Sequence, residues 1–414
     1  MAKNKGKNKA FAGISRLRQN YGERAGSERI TAGKRVFVAM SGGVDSSVAA
    51  FLLKEQGYDV TGVFIRSYNL DGCAERDAAD ARLVADKLGI PFYVFDFEEE
   101  YKREVVDYMV KGYREGRTPN PDVMCNKHIK FGLFLEKARA LGADYIATGH
   151  YVRLRRLPDI FAQSVSGATP KSYFSQKYRS SLFAAKDTNK DQSYFLWTLK
   201  QEQLKYCLFP IGDYLKPEVR AIACQAGLPT ADKKDSQGVC FLGRVALEEF
   251  LKQYIPEKRG AVLTTDGREI GEHNGAQFYT IGQRHGLDLK EKNAVLGLKT
   301  RSKTEPHYIA EKNVAENTII VAEGDQNPAL YRKEIELADV NFVDSVFREE
   351  AVMARVRYRQ PLTGATLRKE NSAIKLTFNE PQKFVASGQS AVFYSAEEGS
   401  LLAGRRVLGG GVIK

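Results

Sequence analysis

The sequence has no long apolar run. None approaches the roughly 20 apolar residues that a membrane-spanning helix needs, and no stretch ahead of the first predicted strand has the apolar centre of a secretory signal peptide. We therefore expect a soluble protein, without a membrane partner, that stays in the reducing cytoplasm. Import into an organelle, directed by the arginines and serines of the N-terminus, is a minor alternative.

Cysteine is also scarce. The five residues form no Cys-x-x-Cys pair and lie far apart, at Cys73, Cys125, Cys207, Cys224 and Cys240. This spacing argues against both a disulfide framework and a zinc ribbon. Any chemistry that uses two cysteines must therefore join residues that are distant in sequence.

Acidic residues are fewer than basic ones, 51 against 63, which gives a net charge of +12. Ten of the basic residues and only two acidic ones lie in the first 35 positions. We therefore expect residues 1–33 to be a basic, disordered extension. A basic excess suits a partner with many phosphates, such as RNA, although a solvated tail has the same composition.

Residues 36–47, VFVAMSGGVDSS, predict a buried strand that turns abruptly into a helix. Backbone N–H groups around Ser41, Gly42 and Gly43 can form an anion nest, to which the helix adds its positive end. The absence of Gly-Lys-Ser/Thr excludes a Walker P-loop. The SGGxDS pattern resembles instead the pyrophosphate loop (PP-loop) of ATP pyrophosphatases, which leave an adenylate on their substrate. A tight turn without a ligand is the alternative.

Strands and helices alternate after this turn. We predict helices at 46–56, 77–88, 98–112 and 129–141, strands at 59–65, 91–97 and 144–148, and a proline-rich loop at 117–125. This alternation predicts an α/β fold in which helices cover both faces of a parallel sheet. Ligands of such sheets bind beyond the carboxyl ends of the strands. After Ala261, short alternating segments between turns predict a small β-barrel or a β-sandwich.

The stretch TPNPDVMCNKHIKF, from Thr118 to Phe131, resembles the tRNA-specific 2-thiouridylases, which thiolate the wobble uridine. Further motifs follow in the family's order, namely ATGHYVR, KDQSYFL, DSQGVCFLG, YTIGQRHGL, RYRQ and GQSAVFY. The match runs from about Lys34 to the C-terminus. The departures are the basic extension, an insertion at about 157–182, a shortened region at 66–75, and His128 where an acidic residue is expected.

The resemblance implies four regions. They are the extension at 1–33, a PP-loop catalytic domain at 34–243 with the insertion at about 157–182, a small central domain at 244–290, and a C-terminal β-barrel at 291–414 that binds tRNA.

The resemblance also implies that ATP adenylates uracil O2 to create a good leaving group. The ATP-binding positions would be Ala39, Met40, Ser41, Gly42, Gly43, Val44, Asp45, Ser46, Ile65 and Gly149. The Asp45 carboxylate could hold Mg²⁺ or cap the helix, and the residues alone do not decide between these roles.

Two cysteines match the family's catalytic pair. Cys240 resembles the residue that receives sulfur as a persulfide, from a sulfur-carrier protein or a cysteine desulfurase, and whose terminal sulfur attacks C2. Cys125 resembles its partner, which releases 2-thiouridine and leaves a Cys125–Cys240 disulfide. Asp122 is expected to move protons nearby, because a carboxylate would raise rather than lower the pKa of a neighbouring thiol.

The remaining matched positions imply contacts with tRNA. Asn120, Pro121 and Asp122 would touch the flipped-out target base. Contacts elsewhere on the tRNA would come from His150, Lys190, Asp191, Gln192, Arg357, Tyr358 and Gln389.

Two other functions, and one other route for the sulfur step, stay open at this point. A PP-loop synthetase could adenylate a small substrate, and a non-catalytic RNA-binding protein could retain the fold. An iron–sulfur cluster held by Cys125, Cys240 and a further ligand could carry the sulfur instead of a persulfide.

Overall fold

The computed structural model describes residues 33–68, 72–158, 178–235, 241–242, 245–289, 305–343, 347, 350–397 and 404–414. Most of the predicted extension, residues 1–32, and most of the predicted insertion, residues 159–177, lie outside this part of the chain. Among the described residues, no helix combines the length and the apolar composition that crossing a bilayer requires.

Five parallel strands form the first sheet. They are β1 (Arg35–Ala39), β2 (Asp59–Arg66), β3 (Phe92–Asp96), β4 (Tyr145–Thr148) and, after a two-stranded ribbon of β5 (Arg153–Pro158) and β6 (Tyr178–Phe183), β7 (Cys207–Leu208). Their order is β3-β2-β1-β4-β7. The predicted α/β class is confirmed, although the short strand β7 was not predicted.

Successive side chains of β1 point to opposite faces of the sheet. Val36 and Val38 pack in one apolar cluster, and Phe37 packs in another, so both faces are buried. The helices of this domain are α1 (Val44–Glu55), α2 (Cys73–Leu88), α3 (Glu98–Tyr101), α4 (Asp107–Arg114), α5 (Pro121–Met124), α6 (Phe134–Ala140), α7 (Gln201–Leu204) and α8 (Lys216–Gln225).

Two helical stretches contain π-helical turns that the sequence did not predict. Lys102–Val106 joins α3 to α4, and Cys125–Leu133 joins α5 to α6. The prediction of a loop as far as Cys125 is wrong for its last part. The Asn120 side chain accepts a hydrogen bond from Val123 N at 3.3 Å, and Pro121 fits the first turn, so the helical stretch begins at Pro121 and not at residue 129 as predicted.

A second sheet follows helix α9 (Leu247–Lys252). Its strands are β8 (Gly260–Thr264), β9 (Glu269–His273), β10 (Asp288–Leu289), β11 (His307–Asn313) and β12 (Thr318–Glu323). They lie in the order β10-β9-β8-β12-β11. A domain boundary at residue 290 would divide this sheet, so we propose that the central domain extends to about residue 323.

The C-terminal strands close into a six-stranded barrel, as predicted. The strands are β13 (Tyr331–Phe342), β14 (Glu350–Arg355), β15 (Thr363–Glu370), β16 (Ala373–Lys383), β17 (Ser390–Ser395) and β18 (Val407–Ile413). The barrel packs directly on the first domain. Trp197 Nε1 donates to Ser390 Oγ at 3.1 Å, and a Cβ at Gly410 would lie 2.6 Å from the indole.

Candidate active site

The turn after β1 is held by its own hydroxyl groups. Ser46 Oγ accepts from Ser41 N at 3.2 Å and donates to Gly43 O at 3.2 Å. Ser47 Oγ donates to the same carbonyl at 2.8 Å and accepts from Thr230 Oγ1 at 2.9 Å. Ser46 therefore lines the turn, whereas Ser47, fully buried, ties it to the segment after α8.

Two glycines allow neighbouring backbone to approach this turn. Gly42 has a φ of +72°, and a Cβ there would lie 2.3 Å from Asp77 O in α2. A Cβ at Gly149, just after β4, would lie 2.6 Å from Ser46 N. The ends of β1 and β4 and the start of α1 therefore meet at one point, where the helix N-terminus favours an anion.

Two adjoining cavities open beside the turn. Cavity 1 encloses about 270 Å³ and is lined by the turn together with apolar side chains such as Phe64, Ile129 and Phe241. Cavity 2 encloses about 530 Å³ and is lined by more charged groups. Both are bordered by Ser41, Asp45, Asp77, Cys125, Lys130, His150 and Gln192. The two cavities are therefore parts of one site.

Most of the predicted ATP-binding residues border this site. Cavity 1 is lined by Ala39, Met40, Ser41, Asp45, Ser46, Ile65 and Gly149. Cavity 2 adds Gly43 and Val44. Gly42 borders neither cavity, because its Cα faces α2.

The carboxylate of Asp45 does not cap helix α1. Both of its oxygens accept from Lys216 Nζ, at 2.7 and 2.8 Å, and Oδ1 also accepts from Tyr151 OH at 2.9 Å. Among the described residues, no group of three or more His, Cys, Asp or Glu side chains could hold a metal ion.

An ion-pair cluster surrounds Asp235. Its carboxylate accepts from Lys190 at 2.6 Å and Arg220 at 2.8 Å, and lies 2.9 Å from Lys216 Nζ. Burial raises the pKa of Asp235, but the hydrogen bonds from Lys190 and Lys216 outweigh it and bring the pKa to about 2. Lys216 thus connects Asp45 of the turn with the first residue of the DSQGVCFLG motif.

The Cys125 thiol lies at the start of the π-helical stretch and is 6% exposed. Burial raises the pKa of Cys125, Lys130 opposes the rise, and Asp122 adds to it. Burial likewise raises the pKa of Asp122, again opposed by Lys130. A carboxyl group whose pKa moves toward neutrality is suited to proton transfer.

The π-helical geometry explains why Lys130 faces the thiol. In an α-helix the fifth residue along lies about 140° around the axis, whereas the wider turns of i to i+5 bonding bring residue 130 closer to the side of the helix that carries Cys125. Lys130 borders both cavities. Sequence reasoning missed it, and missed Lys216 and Asp235, because their roles depend on contacts that no spacing rule predicts.

Cys240 lies outside the described residues, as do residues 236–239 and 243–244. Both described neighbours of this segment border the site, Asp235 at cavity 2 and Phe241 at cavity 1. The pairing of Cys125 with Cys240 therefore stays a prediction.

The His150 imidazole is 7% exposed and borders both cavities. Its Nδ1 lies 2.7 Å from Thr148 Oγ1. Burial lowers the pKa of His150 well below its usual range, and Lys130 lowers it further, so the ring is neutral near pH 7.

The other positions predicted to contact tRNA fall into two groups. Lys190, Gln192 and Tyr358 border cavity 2, and the Tyr358 ring packs on Phe195 with centroids 4.5 Å apart. Asp191, Arg357 and Gln389 make contacts within the protein.

These internal contacts join the domains. Asp191 is 4% exposed and pairs with Arg355 of the barrel at 3.0 Å. Arg357 donates to Ile281 O of the central domain at 2.6 Å, and Gln389 Nε2 donates to Thr118 O at 2.9 Å. Asn120 and Pro121 likewise support α5 and border neither cavity, whereas Asp122 borders cavity 2.

Three family models match the chain in succession. They are described as a tRNA methyl transferase HUP domain for residues 34–244, a tRNA methyl transferase PRC-barrel domain for 248–323, and an aminomethyltransferase beta-barrel domain for 332–413. The second range includes strands β11 and β12 of the central sheet.

Curated relatives match over nearly the whole length. The tRNA-specific 2-thiouridylase MnmA of Streptococcus thermophilus (strain CNRZ 1066) is 43% identical over 386 residues, which cover 92% of this chain and 95% of the relative. The protein of the same name from Lactococcus lactis subsp. cremoris (strain MG1363) is 43% identical over 88% of this chain and 92% of its own.

Solved structures resemble the chain less closely. The U34-tRNA thiolase NcsA from Methanococcus maripaludis, with its [4Fe-4S] cluster, aligns with a TM-score of 0.35 and 18% identity, over 59% of this chain and 74% of its own. An NMN synthetase from Francisella tularensis aligns with a TM-score of 0.28 and 15% identity, over 57% of this chain and 76% of its own. Neither likeness supports a conclusion about the chemistry of this site.

Proposed function

The chain belongs to the tRNA-specific 2-thiouridylase family, and from that membership we propose that it uses ATP to replace O2 of the wobble uridine of tRNA with sulfur. One observation carries the proposal. The glycine-rich turn and the buried thiol of Cys125 border the same pair of connected cavities. A nucleotide bound at the turn and a base bound near Cys125 would therefore be neighbours.

The first step is adenylation. Uracil O2 attacks the α-phosphate of ATP, the bond to the β-phosphate breaks, and pyrophosphate leaves. Backbone N–H groups at the turn and the positive end of α1 bind the phosphates. The apolar lining of cavity 1 suits the adenine. Magnesium ion, when bound with ATP, neutralises phosphate charge, and Asp45 would hold it after exchanging its contact with Lys216.

The second step is sulfur transfer. The terminal sulfur of a Cys240 persulfide attacks C2 and expels AMP, which leaves a disulfide link between the base and Cys240. The Cys125 thiolate then attacks Cys240 Sγ and breaks the S–S bond, so 2-thiouridine leaves and a Cys125–Cys240 disulfide remains. A dithiol reductant restores both thiols, and a sulfur-carrier protein or a cysteine desulfurase renews the persulfide.

The cycle requires Cys125 to lose its proton, although burial favours the neutral thiol. Asp122, three residues earlier, is the group we assign to accept that proton. Lys130 then stabilises the thiolate across the π-helical turn. Because both thiols must be free between cycles, we propose that the protein works in the reducing cytoplasm.

The tRNA would approach cavity 2. Lys190, Lys233, Lys234 and Arg359 border it, which matches the phosphate-rich backbone of an RNA. Tyr358 offers an aromatic surface for a base. We propose that Asp191, Arg357 and Gln389 contribute indirectly, by fixing the barrel and the Thr118 segment that leads to Cys125.

A thiolation assay tests the proposal. The full chain is mixed with unmodified tRNA, ATP, Mg²⁺ and a persulfide donor, and 2-thiouridine is measured by mass spectrometry of the digested tRNA. We expect ATP-dependent thiolation that is lost in Cys125→Ser and Cys240→Ser. The exposed Cys224 provides the matched control, since Cys224→Ser should retain activity.

Three outcomes would contradict parts of this scheme. A methylated nucleoside formed in the tRNA when S-adenosylmethionine replaces ATP would favour methyl transfer, the reaction named in the descriptions of two of the matching family models. Full activity of Cys240→Ser would exclude the two-cysteine mechanism. Activity that tracks iron content after anaerobic purification would favour a cluster over a persulfide. The rival of a PP-loop synthetase for a small substrate predicts pyrophosphate release that does not depend on tRNA.

A further inference from the structure

The side chain of Asn126 contains an unpaired acceptor. The residue is 3% exposed, and its Oδ1 has no hydrogen-bond donor within the described part of the chain. A buried amide oxygen without a partner is costly, so most are paired in folded proteins. Asn317, which is 6% exposed, follows that rule, because its Oδ1 accepts from Ala276 N at 3.1 Å.

The position of Asn126 relates this acceptor to the reaction. Asn126 follows Cys125 directly and borders cavity 2 together with Asp122 and Cys125. Of the buried polar side-chain atoms that lack a partner in the described residues, only Asn126 Oδ1 belongs to a residue that borders either cavity. Asn126 Oδ1 is therefore placed where a molecule bound in cavity 2 can supply the donor that the described residues do not.

We propose that Asn126 Oδ1 accepts a hydrogen bond from N3–H of the target uracil. This inference rests on the proposed function. In a uridine, N3–H is the only N–H donor of the ring, and N3 is bonded to C2, the atom that sulfur must reach. A base whose C2 faces Cys125 and Asp122 brings N3–H toward the next residue of the same helix.

A neutral amide is also the appropriate acceptor for this step. Adenylation of O2 draws electrons from the ring and makes N3–H more acidic. Loss of that proton would return electron density to C2 and slow attack by sulfur. An amide oxygen accepts the hydrogen bond without removing the proton, whereas a carboxylate at this position could act as a base. Asn126 therefore positions the base and keeps C2 electrophilic.

The test compares two substrates on one enzyme. Two tRNAs carry either uridine or 3-deazauridine, which has C–H in place of N3–H, at the target position. For each protein, kcat/KM for thiolation is measured on both, and the ratio of uridine to 3-deazauridine is taken. This ratio does not depend on the fraction of folded protein, so a destabilised variant still gives a valid result.

We expect the ratio to be about 5- to 150-fold larger in the wild type than in Asn126→Ala, the range for an acceptor left unpaired. The adjacent, exposed Lys127 provides the control, since Lys127→Ala should keep the wild-type ratio. An unchanged ratio in Asn126→Ala would overturn this inference alone. Failure of the wild type to thiolate even uridine would overturn the proposed function and this inference with it.

Discussion

Replacing Asp235 by asparagine should destabilise the first domain through loss of charge. The substitution keeps the size of the side chain and an acceptor oxygen, but it removes the carboxylate that Lys190, Lys216 and Arg220 surround. Lys216 keeps its contact with Asp45, so the change isolates the part of the cluster that lies around residue 235.

The size of the effect follows from the pKa of Asp235. The folded protein lowers this pKa from 3.8 to about 2, and the side chain is 23% exposed, so solvent screening is modest. A shift of this size corresponds to about 2 kcal/mol of stability. Because the folded pKa is the lower one, the contribution is fully present above about pH 4 and is lost as the pH falls through about 2.

Scanning calorimetry at several pH values measures this effect. For a domain of this size, about 2 kcal/mol corresponds to a decrease of roughly 4–8 °C in the unfolding midpoint at pH 7. The difference from wild type should shrink as the pH falls below 4. Asp232, exposed and three residues away, is the control, and Asp232→Asn should unfold like wild type. Equal midpoints for wild type and Asp235→Asn at pH 7 would refute the electrostatic reasoning.

Two further substitutions test other parts of the site. Lys130→Met should raise the pKa of Cys125 further, since Lys130 lowers it. Alkylation of Cys125, followed by peptide mass spectrometry, should therefore require a higher pH than in the wild type. Lys127→Met is the control, and an unshifted pH profile of alkylation in Lys130→Met would count against the role of Lys130. Gly149→Ala should weaken ATP binding about 5- to 150-fold, because its Cβ would displace backbone at Ser46 and such overpacking costs about 1–3 kcal/mol. Calorimetric titration with ATP measures the change. Wild-type affinity of the variant for ATP would show that the turn does not bind the phosphates.

The sequence predicted the elements whose patterns are local. The strand before Ser41, the helix after Gly43 and the alternation of strands and helices follow from apolar periodicity and glycine stops. The predicted helix start at Ser46 differs from the observed start at Val44 by two residues, a normal error for a helix end. The short strands of the barrel likewise follow from alternating segments between turns, whereas their closure into six strands does not.

The π-helical stretches could not be predicted in this way. Their hydrogen bonds shift by one residue, and the packing around the site selects that shift, so residue spacing calculated for an α-helix puts Lys130 on the wrong face relative to Cys125. Strand β7 has two residues and no pattern of its own. It is recognisable as a strand only from its pairing with β4 at the edge of the sheet.

The individual roles of site residues depend even more on long-range contacts. Asp45 was expected to hold Mg²⁺ or cap its helix; the cap is absent, and the carboxylate pairs with Lys216, a residue 171 positions away that no local pattern links to it. Gln389 matched a tRNA-binding motif, but its amide binds the carbonyl of Thr118. A motif identifies which residues belong to a site, whereas the partner of each side chain is determined by the folded chain.

A single turnover without reductant tests the central claim most directly. Enzyme loaded with persulfide is mixed with ATP, Mg²⁺ and unmodified tRNA, and 2-thiouridine, AMP and pyrophosphate are counted alongside peptide mapping of the cysteines. We predict one of each product per active enzyme, together with a new disulfide between Cys125 and Cys240. Formation of 2-thiouridine while both cysteines remain free thiols, or without release of AMP, would contradict the account.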